Sequence, residues 1–209
     1  MEMTRAQAVG RGVLLERITV AWMVAEAALS LGAGVAARSV LLTAFGFDSV
    51  VELLSGLVLL RRLSVEARGA DIERVERLEK KTARISGFLL VLVCAYVVIT
   101  SAAGFVAGLK PGGSVLGIVV AAVAVIAMPA LALAKTRAND RIGSASLRAD
   151  IAETLTCAYM AGVTLAGLAA SMLFGLWWVQ YAAAVALLIW LIPETREAFT
   201  SGSHEEEEQ

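Results

Sequence analysis

Six stretches of mostly apolar residues, each about 20 residues long, follow one another along this chain of 209 residues. A helix of about that length is needed to cross the hydrocarbon core of a bilayer. Hydrophobic residues make up 58% of the chain and charged residues 18%, a composition too apolar for a soluble domain of this size. The sequence therefore predicts an all-α membrane protein, a bundle of six transmembrane helices.

The boundaries of the apolar stretches define the predicted organisation. The predicted spans are residues 18–37, 40–60, 85–109, 115–134, 145–172 and 178–192. Together they form a transmembrane domain over 18–193, between an N-terminal segment (1–17) and an acidic tail (194–209). Only Arg38 and Ser39 separate the first two spans, which predicts an antiparallel hairpin. We expect the charged connection at 61–84 to extend its neighbouring spans as solvated helix, and Pro193 to close the last span.

The positive charges are segregated, although the formal net charge is only −1. Lys and Arg gather before the first span and in the second and fourth connections, where Lys135, Arg137 and Arg141 are assigned to the fourth. The opposite ends of the spans carry only Arg38 and Lys110. Because positive residues favour the cytoplasmic side of a membrane, both termini are predicted to be cytoplasmic.

Acidic residues inside the apolar runs are the best indication of function. Asp48 and Glu52 stand one helical turn apart in the second span, and Glu153 and Cys157 do so in the fifth. An acidic group at the centre of a membrane helix costs about 2.5 to 3.5 kcal/mol on an insertion scale, so such groups persist where the fold compensates that cost. A bound cation is one such compensation.

The depths of the two pairs match. Counted from the predicted cytoplasmic ends of their spans, Glu52 and Asp48 lie about 16 and 22 Å deep, and Glu153 and Cys157 about 12 and 18 Å deep. Since the two spans run in opposite directions, Glu52 should fall near Glu153, and Asp48 near Cys157. Three carboxylates and a thiolate could then converge on one divalent transition-metal ion.

Glu26, Asp150 and Cys94 also lie within the predicted spans. Glu26 lies in the middle of the first span with no obvious partner, and is predicted to line the ion path or to support the ligands. Asp150, one turn on the cytoplasmic side of Glu153, is predicted to lie at the entrance, or else to belong to the start of the fifth helix. Cys94 has no acidic neighbour in its span and is read as a packing residue.

The segments FGFDSVVE and SLRADIAETLTC, in the second and fifth of six spans, resemble the cation diffusion facilitator family. The resemblance covers about residues 15–194 and is closest to the short bacterial members that lack the cytoplasmic metal-binding domain. It implies a six-span exporter of divalent metals from the cytoplasm.

The resemblance also implies a ligand set, with the family's metal-binding pairs falling on Asp48, Glu52, Glu153 and Cys157. Asp150 fits the family pattern, whereas Glu153 stands where the pattern has His, and Cys157 where it has Asp. Oxygen ligands without imidazole suit Fe²⁺ or Mn²⁺, and a thiolate favours Zn²⁺, Cd²⁺ or Co²⁺. Zinc is the favoured cargo.

These observations predict an exporter of divalent metal ions, most simply Zn²⁺, that exchanges metal for protons by alternating access. The single histidine, His204, lies in the acidic tail, so carboxylates would have to carry the protons. A cation channel and a non-transporting structural membrane protein are the alternatives. No hydrolase or nucleotide-binding motif is present, so neither an enzyme nor a prosthetic group is predicted. The expected partners are metal ions, protons, lipid and a second copy of the chain, and the expected location is a bacterial plasma membrane.

Overall fold

The computed structural model describes residues 5–68 and 73–203, and side chains are described for most of these. The described residues form six α-helices and no strands. The helices are α1 (Arg5–Ala37), α2 (Val40–Ala67), α3 (Glu73–Val106), α4 (Val115–Ile142), α5 (Ala145–Phe174) and α6 (Val179–Ser203). The predicted all-α bundle is confirmed. His204 and the end of the acidic tail lie outside the described residues, as do residues 69–72 of the charged connection.

The helices are longer than the spans predicted from hydropathy. Helix α1 begins at Arg5, so most of the predicted N-terminal segment (1–17) forms the first turns of this helix. The apolar part of α6 ends at Pro193, as expected for the end of the last span, whereas the helix itself continues to Ser203. Five of the described helices, α1 to α5, are long and apolar enough to cross a membrane, and the apolar part of α6, Val179–Pro193, is shorter.

Two short connections fix the pairing of the helices. Helix α1 ends at Ala37 and α2 begins at Val40, as the sequence predicts, and the Ser39 hydroxyl accepts a hydrogen bond from the backbone N–H of Leu42. Gly143 ends α4 with a left-handed φ of 72°, and the Ser144 side chain caps α5. Because each connection has two residues, α1 packs antiparallel to α2, and α4 to α5.

The remaining contacts assemble these hairpins into one bundle. Helix α1 packs on α4, α2 on α5, and the pair α3 and α6 lies against α2, with α6 also packing on α5. We call the end of the bundle at which α1 begins and α6 ends the terminal face. A small apolar cluster there joins α1, α2, α4 and α5 (Ala8, Val9, Leu59, Leu63, Ala138, Ile142 and Leu147). The Lys and Arg distribution predicts that the terminal face is cytoplasmic.

At the opposite end, Gln180 at the start of α6 ties several elements together. Its Oε1 accepts from the Ser39 hydroxyl at 2.7 Å, and its Nε2 lies 2.9 Å from the Ser171 hydroxyl and 3.3 Å from the Gly112 carbonyl. Gln180 is buried, so these bonds compensate the cost of placing an amide there. The network joins α5 and α6 to the α1–α2 and α3–α4 connections.

Close approach of α1 and α2 depends on glycine. A Cβ atom added at Gly34 would lie 2.7 Å from the backbone nitrogen of Thr43, and one added at Gly46 would lie 2.8 Å from that of Leu31. Lipid provides no hydrophobic drive between helices, so such close backbone packing is a main source of their association. The hairpin that carries Glu26 and Asp48 is therefore held tightly.

Candidate metal-transport site

Helix α2 places Asp48 and Glu52 inside the bundle. Their exposed fractions are 1% and 6%, and their spacing of four residues puts them on one face of the helix. Helix α2 packs on α1, α3, α5 and α6, which makes it the most enclosed of the described helices and keeps these carboxyl groups away from lipid. Both acids lie where an intramembrane charge is compensated by protein or by an ion.

Helix α5 faces this pair with Glu153 and Cys157. Glu153 is half-buried and lines one small cavity together with Glu52 and Asp150. The carboxyl groups of Glu52, Glu26 and Asp48 act electrostatically on the fully buried Cys157 thiol. The structure thus brings all four residues to the region between α2 and α5, as the depth estimates from the sequence suggest.

Glu26 on α1 is bonded to both of these helices. Its Oε1 accepts from the Ser49 hydroxyl on α2 at 2.7 Å and from the Cys157 thiol on α5 at 3.5 Å, and its Oε2 accepts from the Trp22 indole N–H. The sequence indicated no partner for Glu26. Trp22 stands one turn earlier in the same helix, so an i, i+4 search for donors could have identified it. Ser49 could not be identified without the helix packing.

The candidate ligands do not surround one common point in this structure. Among residues 5–68 and 73–203, no three His, Cys, Asp or Glu side chains are grouped closely enough to hold a metal ion. The cavity between Glu52, Asp150 and Glu153 has a volume of about 10 Å³, which is room for a single water molecule. The donor types suit a divalent transition metal, but the assignment of the four residues as its ligands stays a prediction.

A second charged group was missed by the sequence analysis. Lys135 was assigned to the fourth connection, but α4 continues to Ile142, and the side chain is fully buried between Glu16 on α1 and Asp150 on α5. The assignment of Lys135 to the connection between the fourth and fifth spans is therefore wrong. Arg137 and Arg141 are likewise helical, although neither is buried.

The periodicity of α4 contained the signal. Its buried residues recur every three or four positions and include Met128, Ala132, Lys135, Ala138 and Ile142. Lys135 continues this face without interruption, so the spacing alone could have predicted an inward-facing lysine. Counting it only as a positive charge near a span end hid that information.

Comparison with known proteins bears on what this bundle does. Residues 17–203 match the family described as the cation efflux transmembrane domain. The chain belongs to the cation efflux family. The match spans all six helices, and it agrees with the resemblance of the second and fifth spans. A comparison with curated proteins gave no match.

Membership of the cation efflux family defines the general activity. The chain is a multi-pass membrane protein, and its family consists of transporters of cations and not of enzymes. The match covers no more than the transmembrane domain that the structure describes. In this cation efflux protein, three of the bundle helices carry buried acidic side chains, among them Glu26 on α1, Asp48 and Glu52 on α2, and Asp150 on α5.

Proposed function

We propose that this cation efflux protein exports divalent transition-metal ions, Zn²⁺ in the first place, through a site formed by Asp48, Glu52, Glu153 and Cys157. The observation that carries the proposal is the placement of α2 against α5: the buried carboxyl groups of Asp48 and Glu52 act electrostatically on the Cys157 thiol, and Glu52 lines one small cavity with the half-buried Glu153. Several anionic groups together in a low-dielectric region repel one another, and a doubly charged ion removes that repulsion.

The choice of Zn²⁺ rests on the donor set. Zinc accepts carboxylate oxygen and thiolate sulfur in a four-coordinate arrangement, and Asp48, Glu52, Glu153 and Cys157 supply both types of atom. Fe²⁺ and Mn²⁺ would use the carboxylates and gain little from the thiolate, whereas Cd²⁺ and Co²⁺ would use it as zinc does. Cys157 therefore decides the selectivity among these ions.

The transport cycle that we propose is an exchange of metal for protons. Carboxyl groups buried as deeply as Asp48 and Glu52 are costly as free anions, so protons take the place of the metal when the ion leaves. The small cavity supports a closed intermediate, from which rocking of helices opens the site to one side at a time. The planar-bilayer measurement described below distinguishes this exchange from the alternative of a channel.

The proposal is tested with purified protein in liposomes that contain a zinc-sensitive dye. We expect Zn²⁺ uptake that accelerates when the liposome interior is more acidic than the medium, and that generates no ionic conductance in planar bilayers. A rate of Zn²⁺ uptake that does not depend on the imposed pH gradient would contradict the exchange of metal for protons. Single-channel currents would indicate a cation channel instead. If the protein neither transports nor binds metal, the interpretation as a non-transporting structural membrane protein remains.

Cys157→Asp tests the role of the thiol. Replacing sulfur by oxygen should shift the preference of metal binding away from Zn²⁺ and Cd²⁺ and towards Mn²⁺ and Fe²⁺. Binding to the purified variant is measured by calorimetry with each ion separately. Cys94→Ser is the matched control, because it removes the other cysteine from a position distant in sequence from the acidic pairs. If the order of metal-binding affinities does not change, Cys157 is a packing residue, and the ligands are the three carboxylates together with water.

The location and assembly of the protein follow from the same proposal. Export from a bacterial cytoplasm requires the plasma membrane, with the terminal face inside. A homodimer would have to form through the membrane helices or the charged second connection. Chemical cross-linking in native membranes tests that assembly.

A further inference from the structure

Lys135, Glu16 and Asp150 form a buried ion triad. The Lys135 Nζ lies 3.0 Å from Glu16 Oε2 and 2.6 Å from Asp150 Oδ2, and both Lys135 and Glu16 have exposed fractions of 0%. Lys135 also donates to the Thr154 hydroxyl at 3.4 Å. Side chains from three helices, α1, α4 and α5, therefore meet at one ammonium group. Burying this positive charge without its acidic partners would cost a large amount of free energy.

Helix α2 completes the surroundings of the triad. A Cβ atom added at Gly56 would lie 2.9 Å from Glu16 Oε1, so the absence of a side chain at Gly56 is what lets this carboxylate lie against α2. With all three side chains ionised, the triad carries one negative charge in excess. In that state the triad would attract a cation that enters from the terminal face.

The triad lies between the terminal face and the candidate site. Asp150 contacts Lys135 and also lines the small cavity that contains Glu52 and Glu153. On the other side of the triad is the apolar cluster of the terminal face, to which Ala138 and Leu147 belong. An ion that moves from the terminal face to Glu52 and Glu153 between α1, α4 and α5 passes Asp150, whose carboxylate is paired with the Lys135 ammonium group.

We propose that Lys135 is the gate on the terminal side of the metal site. Its ammonium group is a tethered cation that neutralises Asp150 and Glu16 in the closed form, and an incoming divalent ion displaces it from Asp150. Displacement frees α4 from α5 and opens the cavity. This inference rests on the proposed function, since the displacing ion is the exported metal.

Thiol labelling tests the gate without measuring transport. In a Cys94→Ser background, Cys157 is the single cysteine of the chain. We expect Lys135→Met to raise the rate at which a membrane-impermeant, positively charged thiol reagent labels Cys157 from the terminal face. The rise should be at least about tenfold, because closed proteins typically populate their open forms at about 0.1 to 10%. Lys135→Arg, which keeps the charge, should label like the parent.

Sidedness separates a gate from a general loss of packing. A gate variant admits the reagent from the terminal face alone, whereas a loosened bundle admits it from both faces. If Lys135→Met fails to fold, the triple variant Glu16→Gln, Lys135→Met, Asp150→Asn removes the ions together and leaves no uncompensated charge. It should show the same one-sided labelling. Labelling that is unchanged in these variants, or that rises equally from both faces, overturns the proposal.

Adding Zn²⁺ to the Cys94→Ser protein distinguishes failure of the gate from failure of the proposed function. Protection of Cys157 by Zn²⁺, together with unchanged labelling in the Lys135 variants, would refute the gate and support the metal site. One-sided opening in Lys135→Met without any protection by Zn²⁺ would support the gate and refute the ligand role of Cys157.

Discussion

Asp48→Asn abolishes metal export while leaving the folded protein at least as stable as the parent. The amide keeps the size of the side chain but removes the negative charge that binds the ion. Loss of a residue that only orients a metal ligand costs about 10- to 100-fold in affinity or activity, so loss of a ligand should lower the initial rate of Zn²⁺ uptake by at least about 100-fold. Glu52→Gln and Glu153→Gln should have the same effect.

Stability distinguishes this effect from a folding defect. Asp48 and Glu52 are buried, and a neutral amide is no more costly to bury than the protonated carboxyl group that it replaces in the metal-free protein. The melting temperature of Asp48→Asn and Glu52→Gln in detergent should therefore equal or exceed that of the parent. Transport near the parent rate in Asp48→Asn would refute the ligand assignment, and a large drop in melting temperature would point to a structural role.

Thr164→Val is the matched control for these variants. Thr164 is fully buried on α5, two turns beyond Cys157, and its hydroxyl has no hydrogen-bond partner within the described part of the chain. Replacing a buried hydroxyl that makes no hydrogen bond by a methyl group of similar shape should change neither transport nor stability appreciably. A loss of transport in this variant would show that the α5 helix tolerates no change, and would weaken conclusions from Glu153.

Gly34→Ala strongly destabilises the bundle, whereas Gly32→Ala, two residues earlier on the same helix, does not. The added methyl group at Gly34 would meet the Thr43 side-chain oxygen at 2.6 Å and the Thr43 nitrogen at 2.7 Å, so α1 and α2 must separate. Overpacking of this kind costs about 1 to 3 kcal/mol of unfolding free energy. At Gly32 there is no atom within 4 Å, and alanine in a helix is favoured over glycine by about 1 kcal/mol.

Thermal unfolding of the two variants, followed by circular dichroism in the same detergent, measures this difference. We expect the melting temperature of Gly34→Ala to fall and that of Gly32→Ala to stay level or rise. Equal melting temperatures would mean that the α1–α2 hairpin accommodates the added methyl group without loss of unfolding free energy. Transport in Gly34→Ala should fall as well, because the shift moves Glu26 on α1 away from Ser49 on α2.

Much of the architecture could be predicted from the sequence, because it depends on properties of single segments. Apolar runs of sufficient length define the helices, and a connection as short as Arg38 and Ser39 leaves only an antiparallel hairpin. The proximity of Glu52 and Glu153 also follows from simple geometry, since two antiparallel helices of known rise place equal depths side by side. Segment length, connection length and depth along a helix can all be counted from the sequence.

Other features depend on how the helices rotate against one another. Glu26 finds Ser49 and Cys157 only once α1, α2 and α5 have packed, and no spacing within one helix indicates that meeting. Lys135 is a different case, because its position on the buried face of α4 was visible in the sequence. Its partner Glu16, however, comes from a helix more than a hundred residues earlier, so the ion triad required the structure.

The shortness of the apolar part of α6 has a consequence for the surrounding lipid. Val179–Pro193 comprises 15 residues, which at the helical rise cover about 22 Å, whereas a typical hydrocarbon core is about 30 Å thick. Hydrophobic mismatch of this size thins the adjacent bilayer or draws polar groups inward. The annulus of lipid beside α6 should therefore be enriched in short acyl chains, and reconstitution into thin bilayers should suit this helix better than reconstitution into thick, sterol-rich ones.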